Sequence, residues 1–158
     1  MLTPRPKDNV DVKVFPANIG QGRKIVHVRK KNGGYLQGDP SNAAFYIKKG
    51  RIRLTVLSKN GKEAAIAILN AADFFGEGCL AGQPLRMGSA TAMTDCELMR
   101  IENKAMQSAL HRERALSDMF VAYLLARNIR YEEDLVEPTL QLQRKTIGPN
   151  TPAVSPIR

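Results

Sequence analysis

The chain has 158 residues, 43% hydrophobic and 25% charged, with a net charge of +9. That length suits one domain with a full core and is too short for two, no apolar run approaches the ~18 residues of a membrane span, and the opening MLTPRPKDNV lacks a secretory signal's apolar segment. Two cysteines, Cys79 and Cys96, are too few for a disulfide framework and point to a reducing, cytoplasmic setting.

Residues 1–19, with Pro4, Pro6 and Pro16, are predicted to form an extended N-terminal arm. From about residue 20 the chain reads as strands. KIVHVRK alternates apolar and polar residues, the period of a half-buried strand. GGYLQGDPSN supplies turn chemistry through its glycines, Asp39-Pro40 and Ser41-Asn42. The stretch from Ala43 to Leu69 predicts three strands, broken at Gly50 and folded at Asn60-Gly61, a hairpin signature. NAADFFGEG leaves that sheet, and SATAMTDCELMRI returns to strand. Short strands with closely spaced turns predict an antiparallel sandwich or barrel, since a parallel sheet needs crossovers for which there is no room.

From Glu102 to Glu137 the chain contains neither Gly nor Pro. Asn103 and Ser117 are candidate N-caps, and a helix is predicted from Ser117 to Val136 within a helical region 113–137. It carries two apolar stripes: Phe120, Tyr123 and Leu124 suit the β domain, while Val121, Leu125 and Ile129 suit either a second chain or the same one. Residues 138–158 contain Pro138, Pro149, Pro152 and Pro156 and are predicted to be a disordered tail. The positive charge falls in two groups: Lys24, Arg29, Lys30 and Lys31 near one turn, and Lys48, Lys49, Arg51 and Arg53 around another. With no aromatic residues interleaved, these read as a solvated basic surface.

The chemistry concentrates in FFGEGCLAGQPLRMGSATA, where one carboxylate, Glu77, sits between Gly76 and Gly78 and one guanidinium, Arg86, follows. The two charges suit either a mutual ion pair or a pocket for a small anion. The order GDPSNAAFYIKKG, GKE, FFGE and an arginine before ATA, followed by a long helix, resembles the cyclic-nucleotide-binding domain. More narrowly it resembles the sensor half of bacterial transcription regulators of the CRP/FNR family, over residues 20–137. The resemblance implies a mainly β fold with a C-terminal helix (α+β): a double-stranded β-helix or jelly-roll sandwich over residues 20–112, then a long dimerisation helix. It also implies a phosphate-binding turn made by Phe75, Gly76, Glu77, Gly78, Cys79 and Leu80. Glu77 would accept a hydrogen bond from a ribose 2′-hydroxyl and Arg86 would pair with the cyclic phosphate.

The sequence departs from the family in places. Met87, followed by Gly88, stands where cyclic-AMP-binding members carry Ser or Thr. The helix neighbourhood that offers a hydroxyl to the purine reads Arg130, Tyr131, Glu132, with Tyr131 as the substitute. Past Glu137 no helix-turn-helix pattern follows, so direct DNA binding by this chain is not expected. The expectation is a non-enzymatic regulator domain with a cyclic nucleotide as possible effector, no covalent cofactor, and a homodimer or heterodimer through the long helix; the alternative is a non-binding dimerisation module. Four clustered thiolates for an iron–sulfur centre are absent, and His27, His111, Cys79 and Cys96 lack metal-ligand spacing. Cys79 reads as a small packing residue rather than a redox thiol.

Overall fold

The computed structural model describes residues 21–146, with side chains as far as Val136. The expected N-terminal arm and the end of the expected tail lie outside the described residues. The chain divides into two compact units, Met1–Ser117 and Asp118–Arg158.

The first unit is a sandwich of two four-stranded sheets. Its strands are β1 (Arg23–Val28), β2 (Gly33–Tyr35), β3 (Ala43–Lys49), β4 (Ile52–Leu57), β5 (Glu63–Leu69), β6 (Phe74–Phe75), β7 (Ser89–Ala92) and β8 (Cys96–Glu102). One sheet has the order β1-β8-β3-β6 and the other β2-β7-β4-β5. Every pairing is antiparallel, as the short strands and frequent turns require. Two short strands fall where only turns were expected. GGY forms β2, and Phe74–Phe75 leaves the second sheet to pair with Phe45 and Tyr46 at the edge of the first.

Between the sheets lies a core that includes Val28, Phe45, Ile47, Ile52, Leu69, Phe75, Ala90, Ala92 and Leu98. Phe45 and Phe75 stack with centroids 5.0 Å apart, and Tyr35 leans on both at 6.0 and 5.8 Å. The period-two alternation of β6 sends its other ring to the opposite face, where Phe74 meets Tyr46 at 5.0 Å. Helix α1 (Asn103–Arg112) packs against β8, β3 and the turn after β6, burying Met106 and Ala109.

Helix α2 spans Arg114–Thr146, starting within the expected helical region 113–137 and running past its end. The Ser117 N–H donates to the Glu113 carbonyl at 3.1 Å, so Ser117 is an interior residue and not a cap. Asn103 likewise opens α1 as its first helical residue, with Glu102 at the cap position. Residues 138–146 are helical rather than part of a disordered tail. Leu140, Gln141, Leu142, Gln143, Arg144 and Lys145 are strong helix formers, and together they outweigh the single N–H lost at Pro138. In the second unit Phe120 stacks on Tyr123 at 6.3 Å, and the exposed stripe carries Val121, Leu125 and Ile129. No helix among the described residues is long and apolar enough to cross a membrane.

Gly50, between β3 and β4, has a φ of 97°, and a Cβ there would lie 2.6 Å from both the Asp95 carbonyl oxygen and Cys96 Sγ. Gly50→Ala therefore combines backbone strain with a clash against main chain. It is expected to lower the melting temperature, read by circular dichroism, by about 10 °C, corresponding to about 2 kcal/mol.

Candidate functional site

The site is built on a short turn that the preceding strand holds rigidly. β6 fixes both of its rings, the chain turns at Gly76 with a φ of 74°, and a 3-10 turn follows over Glu77–Ala81, ending at Gly82. The segment after it runs antiparallel to residues 38–41. The Ser41 N–H donates to the Pro84 carbonyl at 3.0 Å, the Arg86 N–H to the Asp39 carbonyl at 2.8 Å, and the Gly38 N–H to the Arg86 carbonyl at 2.9 Å. Asp39 closes its own turn by accepting from the Leu36 N–H at 2.8 Å. The main chain of Arg86 is thus clamped on both sides, and its side chain is directed inward.

Arg86 is only 4% exposed. Its Nη1 donates to the Gly76 carbonyl at 2.7 Å and its Nη2 to the Ala43 carbonyl on β3. The guanidinium carbon lies 4.3 Å from the centroid of the Tyr35 ring and 5.8 Å from that of Phe45, a cation–π arrangement in a desolvated setting. Its buried Nε makes no hydrogen bond among the described residues. A permanently charged group has thus been taken out of water and held by carbonyl dipoles and an aromatic face.

The glycines make room for the protein's own side chains. A Cβ on Gly76 would stand 2.7 Å from Arg86 Nη1, and one on Gly78 would stand 2.2 Å from Gln83 Oε1. The resemblance implies a phosphate-binding turn here; in this structure Arg86 and Gln83 lie against its glycines.

The fold brings Gly76, Glu77, Gly78, Cys79, Leu80 and Arg86 together in the first unit. Phe75, grouped with them from the sequence, is fully buried in the sandwich core, because the alternation of β6 turns its ring inward. Met87 is 69% exposed, and Gly88 passes close against the Thr55 carbonyl on β4. Tyr131 belongs to the second unit, on α2, with the Arg127 guanidinium carbon 5.9 Å from its ring. Sequence reasoning missed Tyr35, Ala43, Phe45 and Gln83. Tyr35, the one large residue following a glycine pair, carried the best available signal; a backbone carbonyl such as that of Ala43 carries none.

Among the described residues no group of three or more His, Cys, Asp and Glu is placed to hold a metal ion. The Cys79 thiol is buried and donates to the Gly76 carbonyl at 3.5 Å. Burial pushes it above its ordinary value of 9.0, against the opposing pull of Arg86, while Glu77 adds a smaller upward push.

The fold and the turn define a class. Residues 26–113, more than half the chain, match the cyclic nucleotide-binding domain family, and the chain belongs to it. Among its relatives is the cyclic AMP receptor protein of Thermus thermophilus, 35% identical over 101 residues, a match covering 64% of this chain and 46% of the relative. The crystal structure of the Thermus thermophilus catabolite activator protein superposes with a TM-score of 0.66 at 25% identity, covering 91% of this chain and 70% of that one. The c-di-GMP responsive global regulator CLP of Xanthomonas campestris shares the fold, with a TM-score of 0.64 at 18% identity over 84% of this chain and 63% of that chain. The chain spans about half the length, or less, of the curated relatives it matches.

Because the Cys79 thiol is held protonated in the folded state, it opposes ionisation that the unfolded chain undergoes freely. Its contribution to stability is fully present below 9.0 and falls as the pH rises from there through the raised folded value. Denaturant titrations at rising alkaline pH are expected to show a steeper loss of stability for the native chain than for Cys79→Ala.

Proposed function

We propose that the chain is the ligand-sensing part of a CRP-type transcription regulator, and that the turn at residues 76–81 together with Arg86 takes the phosphate of a cyclic nucleotide. The observation that carries this reading is the buried guanidinium of Arg86, held on the Gly76 carbonyl that precedes the first N–H groups of a short helical turn. Such N–H groups have no partner within the turn, and a fork-shaped cation suits phosphate oxygens. On binding, Arg86 exchanges its contacts with the Gly76 and Ala43 carbonyls for phosphate oxygens, and Glu77 accepts from the ribose 2′-hydroxyl. With Met87 supplying no hydroxyl, the phosphate depends more on Arg86 than it would beside a serine.

Calorimetric titration with cyclic AMP and cyclic GMP tests this, with cyclic di-GMP as a third ligand because of the Xanthomonas relative. Micromolar affinity for a cyclic mononucleotide is expected, weakened about ten- to a hundredfold in Arg86→Lys, which keeps the charge but loses the fork. Glu77→Gln should weaken it about tenfold. The absence of heat at millimolar ligand would remove the reading. That outcome would favour a closed, non-binding module, a second reading supported by the way Arg86 and Gln83 already lie against Gly76 and Gly78.

We also infer that α2 pairs with a second copy of the chain, with a longer relative as the alternative partner. Val121, Leu125 and Ile129 are 51%, 59% and 53% exposed at four-residue spacing, a stripe that helices bury by pairing. Sedimentation analysis is expected to find a dimer at micromolar concentration. Leu125→Glu should convert it to a monomer while leaving the circular dichroism of the β domain unchanged.

A further inference from the structure

Most of the two basic groups that the sequence separates, without Lys24 and Arg53, meet at one end of the sandwich. The β1–β2 turn carries Arg29, Lys30 and Lys31. The end of β3 carries Lys48 and Lys49, and the β3–β4 turn carries Arg51. Both turns are tied to the β7–β8 turn: the Lys30 N–H donates to Asp95 Oδ1 at 2.9 Å and the Lys31 N–H to the Ala92 carbonyl at 2.8 Å. From the other side, the Arg51 N–H donates to Thr94 Oγ1 at 3.1 Å, and the Met93 N–H donates to the Arg51 carbonyl at 2.9 Å. All six cationic side chains are exposed. The acids within these three turns and the strand ends that adjoin them are Asp95 and Glu97; Glu102 lies at the far end of β8. Glu97 lies 3.4 Å from Lys48 Nζ and 3.9 Å from Lys49 Nζ, so the six cations outnumber their neighbouring carboxylates three to one.

Lys31 has a φ of 74°, a backbone position that favours glycine or asparagine. The chain nevertheless carries a lysine there, at the tip of the patch. Among the described residues none of the exposed large apolar side chains is in these three turns, although Ile68 is exposed opposite Arg53 on β4. A protein–protein contact needs an apolar centre and is depleted in lysine. A single-strand binder needs aromatic platforms. A lysine-rich patch with neither is suited to the sugar-phosphate backbone of a duplex, which presents regularly spaced charge and asks for no apolar contact.

We propose that the end of the sandwich formed by Arg29, Lys30, Lys31, Lys48, Lys49 and Arg51 is a sequence-independent docking surface for the phosphate backbone of double-stranded nucleic acid. This surface is separate from the Arg86 site: Ala43, which holds Arg86, and Lys49 are opposite ends of β3, about 20 Å apart at the rise of a strand. The proposal does not depend on the ligand reading. It supplies phosphate contacts and no base readout, so it positions a bound duplex without selecting its sequence.

The test is fluorescence anisotropy of the full chain with two labelled duplexes of unrelated sequence over a range of salt. Equal affinity for both is expected, with a slope of log K against log salt near −4, or roughly a 250-fold loss between about 50 and 200 mM. The patch variant Lys30→Glu, Lys31→Glu, Lys49→Glu, Arg51→Glu should abolish binding. The charge-matched control Lys24→Glu, Lys59→Glu, Lys62→Glu, Lys104→Glu should keep most of it. The corresponding Lys30→Gln, Lys31→Gln, Lys49→Gln, Arg51→Gln set, checked by thermal melting, guards against a folding defect and should lose most of the binding and flatten the slope. No binding at low salt, or equal loss in patch and control variants, would overturn the proposal. Tighter binding to polyglutamate than to duplex would also overturn it, assigning the surface to an acidic protein partner.

Discussion

The clasp of Arg86 organises this molecule. One guanidinium ties the carbonyl of Gly76, in the turn, to the carbonyl of Ala43, at the start of β3, and lies on the ring of Tyr35 from β2. Three segments far apart in sequence are fastened by one cation that cannot lose its proton. Charge-assisted hydrogen bonds and the aromatic face offset the cost of removing that charge from water. Any anion entering the turn must compete for the same cation. The same guanidinium that the proposed reading gives to a phosphate is already engaged by the Gly76 and Ala43 carbonyls.

The remainder of the fold holds that clasp in place. β6 is only two residues long, yet its rings are buried on opposite faces of the sheet, Phe75 between the sheets and Phe74 against Tyr46. The turn consequently starts from a fixed point. Its far end is held by the main-chain ladder between residues 38–41 and 84–86, and α1 packs against it directly. Arg86 is bonded to β3, and the turn it holds packs against both β3 and α1.

Surface charge follows a different logic. The turns that carry it join strands of both sheets, and the β7–β8 turn that fastens them supplies hydrogen-bond acceptors through Asp95, Thr94 and the Ala92 carbonyl. The protein thus has a small, dehydrated cationic site at one end of β3 and a broad, hydrated cationic surface at the other. The dehydrated site can discriminate geometry because its cation is fixed. The hydrated one can only attract, and salt screens it.

The sequence by itself determined the class of fold, since alternating strands, the Asn60-Gly61 hairpin and a long gap-free helix have few other solutions. It also singled out Glu77 and Arg86, because two charges in a glycine-rich turn are conspicuous whatever surrounds them. It misjudged elements whose extent depends on neighbours: β2 and β6 are too short to show a period, and helical residues beyond Pro138 outvoted a local breaker. Only the tertiary structure decided that Phe75 belongs to the core, that Gly76 and Gly78 leave room for Arg86 and Gln83, and that Tyr35 and the Ala43 carbonyl hold the guanidinium. It also joined Arg29, Lys30 and Lys31 to Lys48, Lys49 and Arg51. The physical reason is common to all of these: sequence patterns report what a residue does along its own segment, whereas a buried charge, a missing Cβ and a charged surface are each defined by contacts between segments that only folding brings together.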